Sequence, residues 1–104
     1  MPTPFRTFLF LWSILLILIS GCATVYPVQE MSNARQTLQA AKAVDAQVHA
    51  RSQYMEARRL LDLATTKLDE GDYILAREYA VSAKQLAIQA RMEAISQQQL
   101  ENKN

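Results

Sequence analysis

The stretch Leu68-Asp-Glu-Gly-Asp-Tyr-Ile-Leu-Ala76 decides the fold of this 104-residue chain. It contains Gly71, which can adopt the left-handed conformation that ends a helix. Asp72 follows, and its side-chain oxygen can cap the next helix. Because apolar stripes with helical spacing run away from this stretch in both directions, it predicts a tight turn at residues 70–72 between two antiparallel helices.

The stripe after the turn is the most regular feature of the chain. Its apolar residues recur at steps of three and four, which predicts a helix over residues 73–98. The stripe consists of Tyr73, Ala76, Ala80, Ala83, Ala87, Ala90 and Ala94, with a second row of Ile74, Val81, Ile88 and Ile95 beside it. The stripe before the turn consists of Tyr54, Ala57, Leu61, Ala64 and Leu68. Antiparallel pairing puts Leu61 opposite Ala83 and Ala64 opposite Ala80, so we expect an alanine-rich seam. The rings of Tyr54 and Tyr73 are expected to fill its ends.

A third stripe predicts an earlier helix over residues 32–50. Its phase slips near residues 50–53, where Ser52 is a candidate N-cap, although a continuous bent helix also fits the pattern. Proline is absent after Pro27, and β-branched residues never alternate over the length of a strand. The sequence therefore predicts an all-α fold over residues 33–98, either a three-helix antiparallel bundle or a long helical hairpin, with a polar tail over 99–104.

The N-terminal region has the pattern of an export signal. Residues 8–19 are almost entirely apolar, which is shorter than the roughly 20 residues of a membrane-spanning helix and fits the apolar core of about 7–15 residues in a signal peptide. Ile19-Ser20-Gly21-Cys22 then resembles the bacterial lipobox, an aliphatic residue and two small residues before a cysteine. We expect a signal peptide over 1–21, cleavage between Gly21 and Cys22, and lipidation of Cys22. An uncleaved anchor with an incidental cysteine is the alternative.

Residues 22–32 are predicted to form a lipidated tether. Ala23 follows Cys22, whereas an aspartate at that position favours retention in the inner membrane of enteric bacteria. In a Gram-negative host we therefore expect a cell-envelope protein anchored in the outer membrane and facing the periplasm. Cys22 is the only cysteine, so the chain cannot form an intramolecular disulfide.

The charge balance argues against a nucleic-acid partner. The chain has 11 Lys and Arg against 10 Asp and Glu, and removal of residues 1–21 takes Arg6 with it and makes the two counts equal. Nucleic-acid binders normally have a marked basic excess. The partners that we expect are the membrane, through the lipid, and an envelope protein or another copy of the chain. Peptidoglycan contact has no support in these residues.

The chain carries none of the side-chain combinations that indicate an enzyme, a metal site or a cofactor site. His49 is the only histidine, and a metal site needs several converging ligands. The acidic turn of Asp69, Glu70 and Asp72 is too short for a calcium loop of about twelve residues. We therefore predict a non-catalytic protein without a cofactor. Tyr79 faces away from the seam and is the candidate contact for the first helix or for a partner.

Two resemblances rest on the seam residues. Tyr54-x-x-Ala57-Arg58-x-Leu60 and Leu68-x-x-Gly71-Asp72-Tyr73-x-x-Ala76-Arg77-x-x-Ala80-x-x-Ala83 resemble the bacterial domain-of-unknown-function family DUF 4398. Its members are small alanine-rich helical proteins, many with a lipoprotein signal. The resemblance implies a helical fold and an envelope location, and no residue-level function. The turn is also similar to one tetratricopeptide hairpin, although such repeats usually need about three units for stability.

These features predict a lipid-anchored envelope protein that acts as a non-catalytic helical interaction or structural module. One alternative is a self-assembling coiled-coil spacer lipoprotein, similar in role to murein lipoprotein, although Gly71 interrupts its heptads. Another is a single tetratricopeptide-like hairpin adaptor that binds a peptide or a protein.

Overall fold

The fold is all-α, as the sequence predicted. A computed structural model describes residues 4–19 and 26–104. Within these ranges the chain forms five helices and no strand. The helices are α1 (Pro4–Ile19), α2 (Val28–Ala43), α3 (Ala46–His49), α4 (Arg51–Asp69) and α5 (Tyr73–Lys103).

Helices α2, α4 and α5 form a three-helix bundle. Near one end, Met31 of α2 shares a buried cluster with Leu61 of α4 and Ala83 of α5. Towards the other end, Ala41 of α2 lies in a second cluster with Tyr54 and Ala94. Helix α2 therefore runs antiparallel to α4 and parallel to α5, and the bundle alternative of the prediction is confirmed.

Alanine dominates the core of this bundle. Besides Pro27, fifteen apolar side chains among the described residues are buried: twelve are alanines, and the others are Met31, Tyr54 and Leu61. Alanine has the highest helix propensity and loses no side-chain rotamer freedom on burial. It also allows helix backbones to approach closely. The bundle is thus held together by close helix packing over a long seam.

The turn between α4 and α5 has the predicted capping geometry. Gly71 has φ +80°, and its N–H donates to the carbonyl of Leu68 at 3.0 Å. The N–H of Asp72 donates to the carbonyl of Lys67 at 2.9 Å, which completes a Schellman motif. The Asp72 carboxylate accepts from the Leu75 N–H at 3.2 Å and caps α5. Both turn residues predicted from the sequence are confirmed.

The predicted ends of the tether and of the last helix are wrong. Residues 28–32 belong to α2, which begins after the buried Pro27, so the tether does not extend to residue 32. Helix α5 continues to Lys103, five residues beyond the predicted end at residue 98. Contacts across the bundle explain the extension, because the Gln98 amide donates to the Val44 carbonyl at 2.8 Å and Glu101 lies beside His49.

The predicted break between the first two helices is confirmed at Ala50, but a second break precedes it at residues 44–45 and the predicted capping residue is wrong. Helix α2 ends at Ala43, the short α3 follows, and α4 begins at Arg51 with Ala50 as its N-cap. Ser52 lies inside α4 and does not cap it. Ala46 and Ala50 are buried in the core at this corner. Their burial determines where the chain turns and outweighs the capping preference of serine.

Asp45 carries the backbone conformation that makes this corner. Its φ of 57° places it in the left-handed region, the only such non-glycine residue in the part of the chain that the structure describes. Its side chain is exposed and makes no capping hydrogen bond. We expect Asp45→Val to lower the free energy of unfolding by about 1–2 kcal/mol, because a β-branched side chain tolerates this region poorly.

The change is measured as the urea-unfolding midpoint of the lipid-free protein beginning at Ala23, at unchanged slope. Asp45→Asn is the matched control, since asparagine also tolerates the left-handed region. Equal midpoints for the two variants would show that residue 45 does not adopt it.

Helix α1 stands apart from the bundle. Its side chains from Pro4 to Leu16 are all exposed. It packs against none of the other described helices. Across the described ranges, no helix combines the length and the apolar character needed to cross a membrane.

Candidate attachment site and contact surfaces

The predicted lipidation and cleavage residues, Cys22 and Gly21, lie outside the described residues. The structure describes the chain up to Ile19, the end of α1, and again from Tyr26. Lipidation of Cys22 therefore stays a prediction from the lipobox. The structure does describe how the chain joins the bundle immediately after this region.

The chain is fixed to the bundle from Pro27 onward. Pro27 is among the largest fully buried side chains in the described part of the protein. The ring of Tyr26 lies edge-on to that of Tyr73, with ring centroids 5.4 Å apart. The prediction that Tyr73 fills the end of the alanine seam is wrong: its side chain is exposed and packs on Tyr26 at the turn end of the bundle. In the sequence, the signal for this packing is an aromatic residue and a proline directly before the residues of α2.

Two polar contacts tie α2 to α5 along its length. Arg77 pairs with Glu30 near the turn end, with 3.2 Å between Nε and the carboxylate. Gln98 donates to the Val44 carbonyl near the opposite end. Sequence reasoning missed both, because they join segments far apart in the chain. Together they hold α2 in register against the longest helix.

Tyr79, the candidate partner contact, is half-buried. Its ring packs against the core cluster that contains Met31, Leu61 and Ala83. Part of the ring therefore stabilises the bundle, and part is open to solvent. Its role as a partner contact stays a prediction.

The polar side chains considered for chemistry do not converge. His49 faces Glu101, with Nδ1 3.7 Å from the carboxylate oxygen. In the acidic turn, Glu70 accepts from Lys67 at 3.0 Å, and Asp72 caps α5. Within the described ranges, no group of three or more His, Cys, Asp or Glu side chains is placed to hold a metal ion. Glu70 and Asp72 are thus engaged with Lys67 and with the backbone of α5, and these contacts stabilise the turn.

The strongest surface ion pair lies on one turn of α4. The Arg59 guanidinium donates two hydrogen bonds, of 2.6 and 2.8 Å, to the Glu56 carboxylate. The bond to the guanidinium lowers the pKa of the Glu56 carboxyl. Both groups are open to solvent, where such pairs add little to stability. The pair lies on the outer surface of the bundle, where it lines a wide, open concavity together with Arg51, Ser52 and Met55.

An open groove runs between α2 and α5. Its volume is about 320 Å³, and it is lined by Gln36, Thr37, Ala40, Ile88, Arg91, Met92 and Ile95. Ile88 is 40% exposed although α2 lies beside it. Helix α2 covers the apolar row of α5 only in part, because Ile74 and Val81 of the same row are also exposed.

Comparisons with protein-family models, with curated proteins and with solved structures found no match to this chain.

Proposed function

We propose that the chain is a lipid-anchored protein of the bacterial envelope and acts as a non-catalytic helical interaction or structural module. The independence of α1 carries the proposal. Helix α1 ends at Ile19, the first residue of the lipobox, and packs against no helix of the bundle. Cleavage at Gly21–Cys22 would therefore remove a segment on which the bundle does not depend.

The attachment chemistry needs only Cys22 and the small residues before it. The Cys22 sulfur is alkylated by a diacylglyceryl donor, a thioether forms, and the donor headgroup leaves. Hydrolysis of the Gly21–Cys22 bond then frees an amino group that accepts a third acyl chain. Stable membrane anchoring needs about two membrane-binding groups, and three acyl chains exceed this number. Each buried CH₂ group adds about 0.8 kcal/mol to the free energy of membrane binding. Ala23 supports the outer membrane, facing the periplasm, as the location.

The bundle supports a role in contact and not in catalysis. Within the described ranges its buried side chains are apolar, and none of its charged side chains is buried. Its surfaces offer an exposed aliphatic row and a half-buried tyrosine to an envelope protein or a second copy. The resemblance to DUF 4398 is part of this proposal and agrees with the helical fold and the envelope location.

A self-assembling spacer is the second candidate, and the exposed row on α5 favours it. Ile74, Val81 and Ile88 recur at steps of seven along the 31-residue helix, the spacing of a coiled-coil seam. Sedimentation of the lipid-free protein beginning at Ala23 discriminates the two candidates. A compact monomer or dimer supports the module, and an elongated trimer supports the spacer.

Metabolic labelling with radioactive palmitate tests the anchor. We expect the wild-type protein to incorporate label and Cys22→Ala to lose it completely, because the only thiol of the chain is removed. The double variant Cys22→Ala, Ser82→Cys is the matched control: it restores a cysteine at an exposed position of α5 and should stay unlabelled. Equal labelling of wild type and Cys22→Ala would refute the proposal.

A further inference from the structure

The turn end of the bundle carries a cluster of exposed aromatic and aliphatic side chains. We call the cluster of Tyr26, Val28, Tyr73 and Ile74 the tyrosine end. Ile74 is 73% exposed and Val28 59%. The two tyrosine rings contact each other edge-on and are themselves partly open to solvent.

The lipid on Cys22 would be held close to this end. Tyr26 is the fourth residue after Cys22, and a fully extended chain spans at most about 3.6 Å per residue, or roughly 14 Å over these four steps. Pro27 is fully buried, so the chain is fixed to the bundle immediately after Tyr26. The membrane surface and the tyrosine end must therefore lie within this short reach of each other.

We infer that the tyrosine end of the bundle contacts the membrane surface and that α5 extends away from the membrane. The inference rests on the proposed lipidation of Cys22. Tyrosine suits the boundary of a bilayer, because its ring is apolar and its hydroxyl can stay in water. Val28 and Ile74 add apolar side chains that enter the headgroup region. The occupant of this surface is thus the lipid surface itself.

The charges around the turn define the kind of lipid. Lys67 pairs with Glu70, and Asp69 and Asp72 add two negative charges at the same end. An anionic lipid surface would be repelled, so the contact fits zwitterionic headgroups such as phosphatidylethanolamine. A contact of this kind depends little on salt concentration, since screening acts on charge attraction.

Tryptophan quenching in vesicles tests this orientation. Trp12 is the only tryptophan and lies in the predicted signal peptide, so Tyr73→Trp gives the mature protein a single reporter. The lipidated protein is reconstituted into phosphatidylethanolamine and phosphatidylcholine vesicles that contain a lipid spin-labelled near the headgroup. Leu100→Trp is the matched reporter, because Leu100 is also exposed and lies about 40 Å farther along α5 at 1.5 Å per residue.

We expect the spin-labelled lipid to quench Tyr73→Trp and to leave Leu100→Trp unchanged. Adding Ile74→Ser should reduce the quenching of Tyr73→Trp, whereas Val48→Ser should not. Val48 is a control of similar exposure, 70%, on α3 at the opposite end of the bundle.

Each of the other possible results contradicts the inference, and each does so for a different reason. Protein that floats with the vesicles while neither reporter is quenched shows an anchored bundle that does not rest on its tyrosine end. Equal quenching of both reporters shows a bundle that lies flat on the lipid. Protein that does not float with the vesicles refutes the lipid anchor, and with it the orientation.

Discussion

Replacement of Met31 by alanine is expected to lower the free energy of unfolding by about 2–5 kcal/mol. Met31 is 2% exposed, is one of the largest fully buried side chains of the described residues, and lies in the cluster that joins α2 to α4 and α5. Most of its buried neighbours are alanines, which have no side chain that could move into the vacated space. The cavity should therefore persist, and the cost of a large-to-small change is greatest where the site cannot collapse.

Urea unfolding of the lipid-free protein beginning at Ala23 measures this effect as a shift of the midpoint at unchanged slope. Met92→Ala is the matched control, since Met92 is 65% exposed on α5 and its loss should stay within about 0.5 kcal/mol. If the two variants unfold at the same urea concentration, α2 does not cover the hairpin as described.

Replacement of Ala83 by leucine is expected to cost about 1–3 kcal/mol through overpacking. Ala83 is 2% exposed and shares its cluster with Leu61 of α4 and Ala80 of α5. The added carbon atoms have no free volume to enter, so the helices must separate or adopt strained rotamers. Because the seam runs along both helices, a local separation also weakens contacts between neighbouring alanines.

Thermal unfolding measures this second change. Ser82→Leu is the control, because it adds a leucine side chain to an exposed position one residue earlier on the same helix. An unchanged melting temperature for Ala83→Leu would contradict the pairing of α4 with α5 along this seam.

Local rules were enough to predict the hairpin. Gly71 and Asp72 make their hydrogen bonds within a few residues, so their types already indicate the turn. The alanine stripe of α5 is buried throughout, from Ala76 to Ala94. A tight turn fixes the register of the two helices, which is why Leu61 and Ala83 could be paired from the sequence and lie in one cluster.

The parts that sequence reasoning missed depend on contacts between distant segments. The corner at Asp45 depends on the burial of Ala46 and Ala50 against α5, whereas the sequence offered Ser52 as a local alternative. Helix α5 extends past residue 98 because its end meets the corner between α2 and α4. A polar segment gives no local sign of such a partner.

The candidate site likewise has one part that could be predicted from local sequence and one part that depends on contacts between distant segments. The four residues that resemble a lipobox, Ile19 to Cys22, indicate the position of the proposed lipid without reference to the fold. The tyrosine end could not be predicted, because it brings a residue just before α2 together with one at the start of α5. The structure thus adds a direction to the proposed attachment, with the turn of the hairpin facing the membrane.

The intact mass of the protein extracted from the membranes of bacterial cells in which it is expressed tests the central proposal most directly. It reports cleavage and acylation in one measurement. We predict the mass of a chain that begins at Cys22 and carries three acyl chains. The mass of an unmodified chain that still includes residues 1–21 would contradict the proposal.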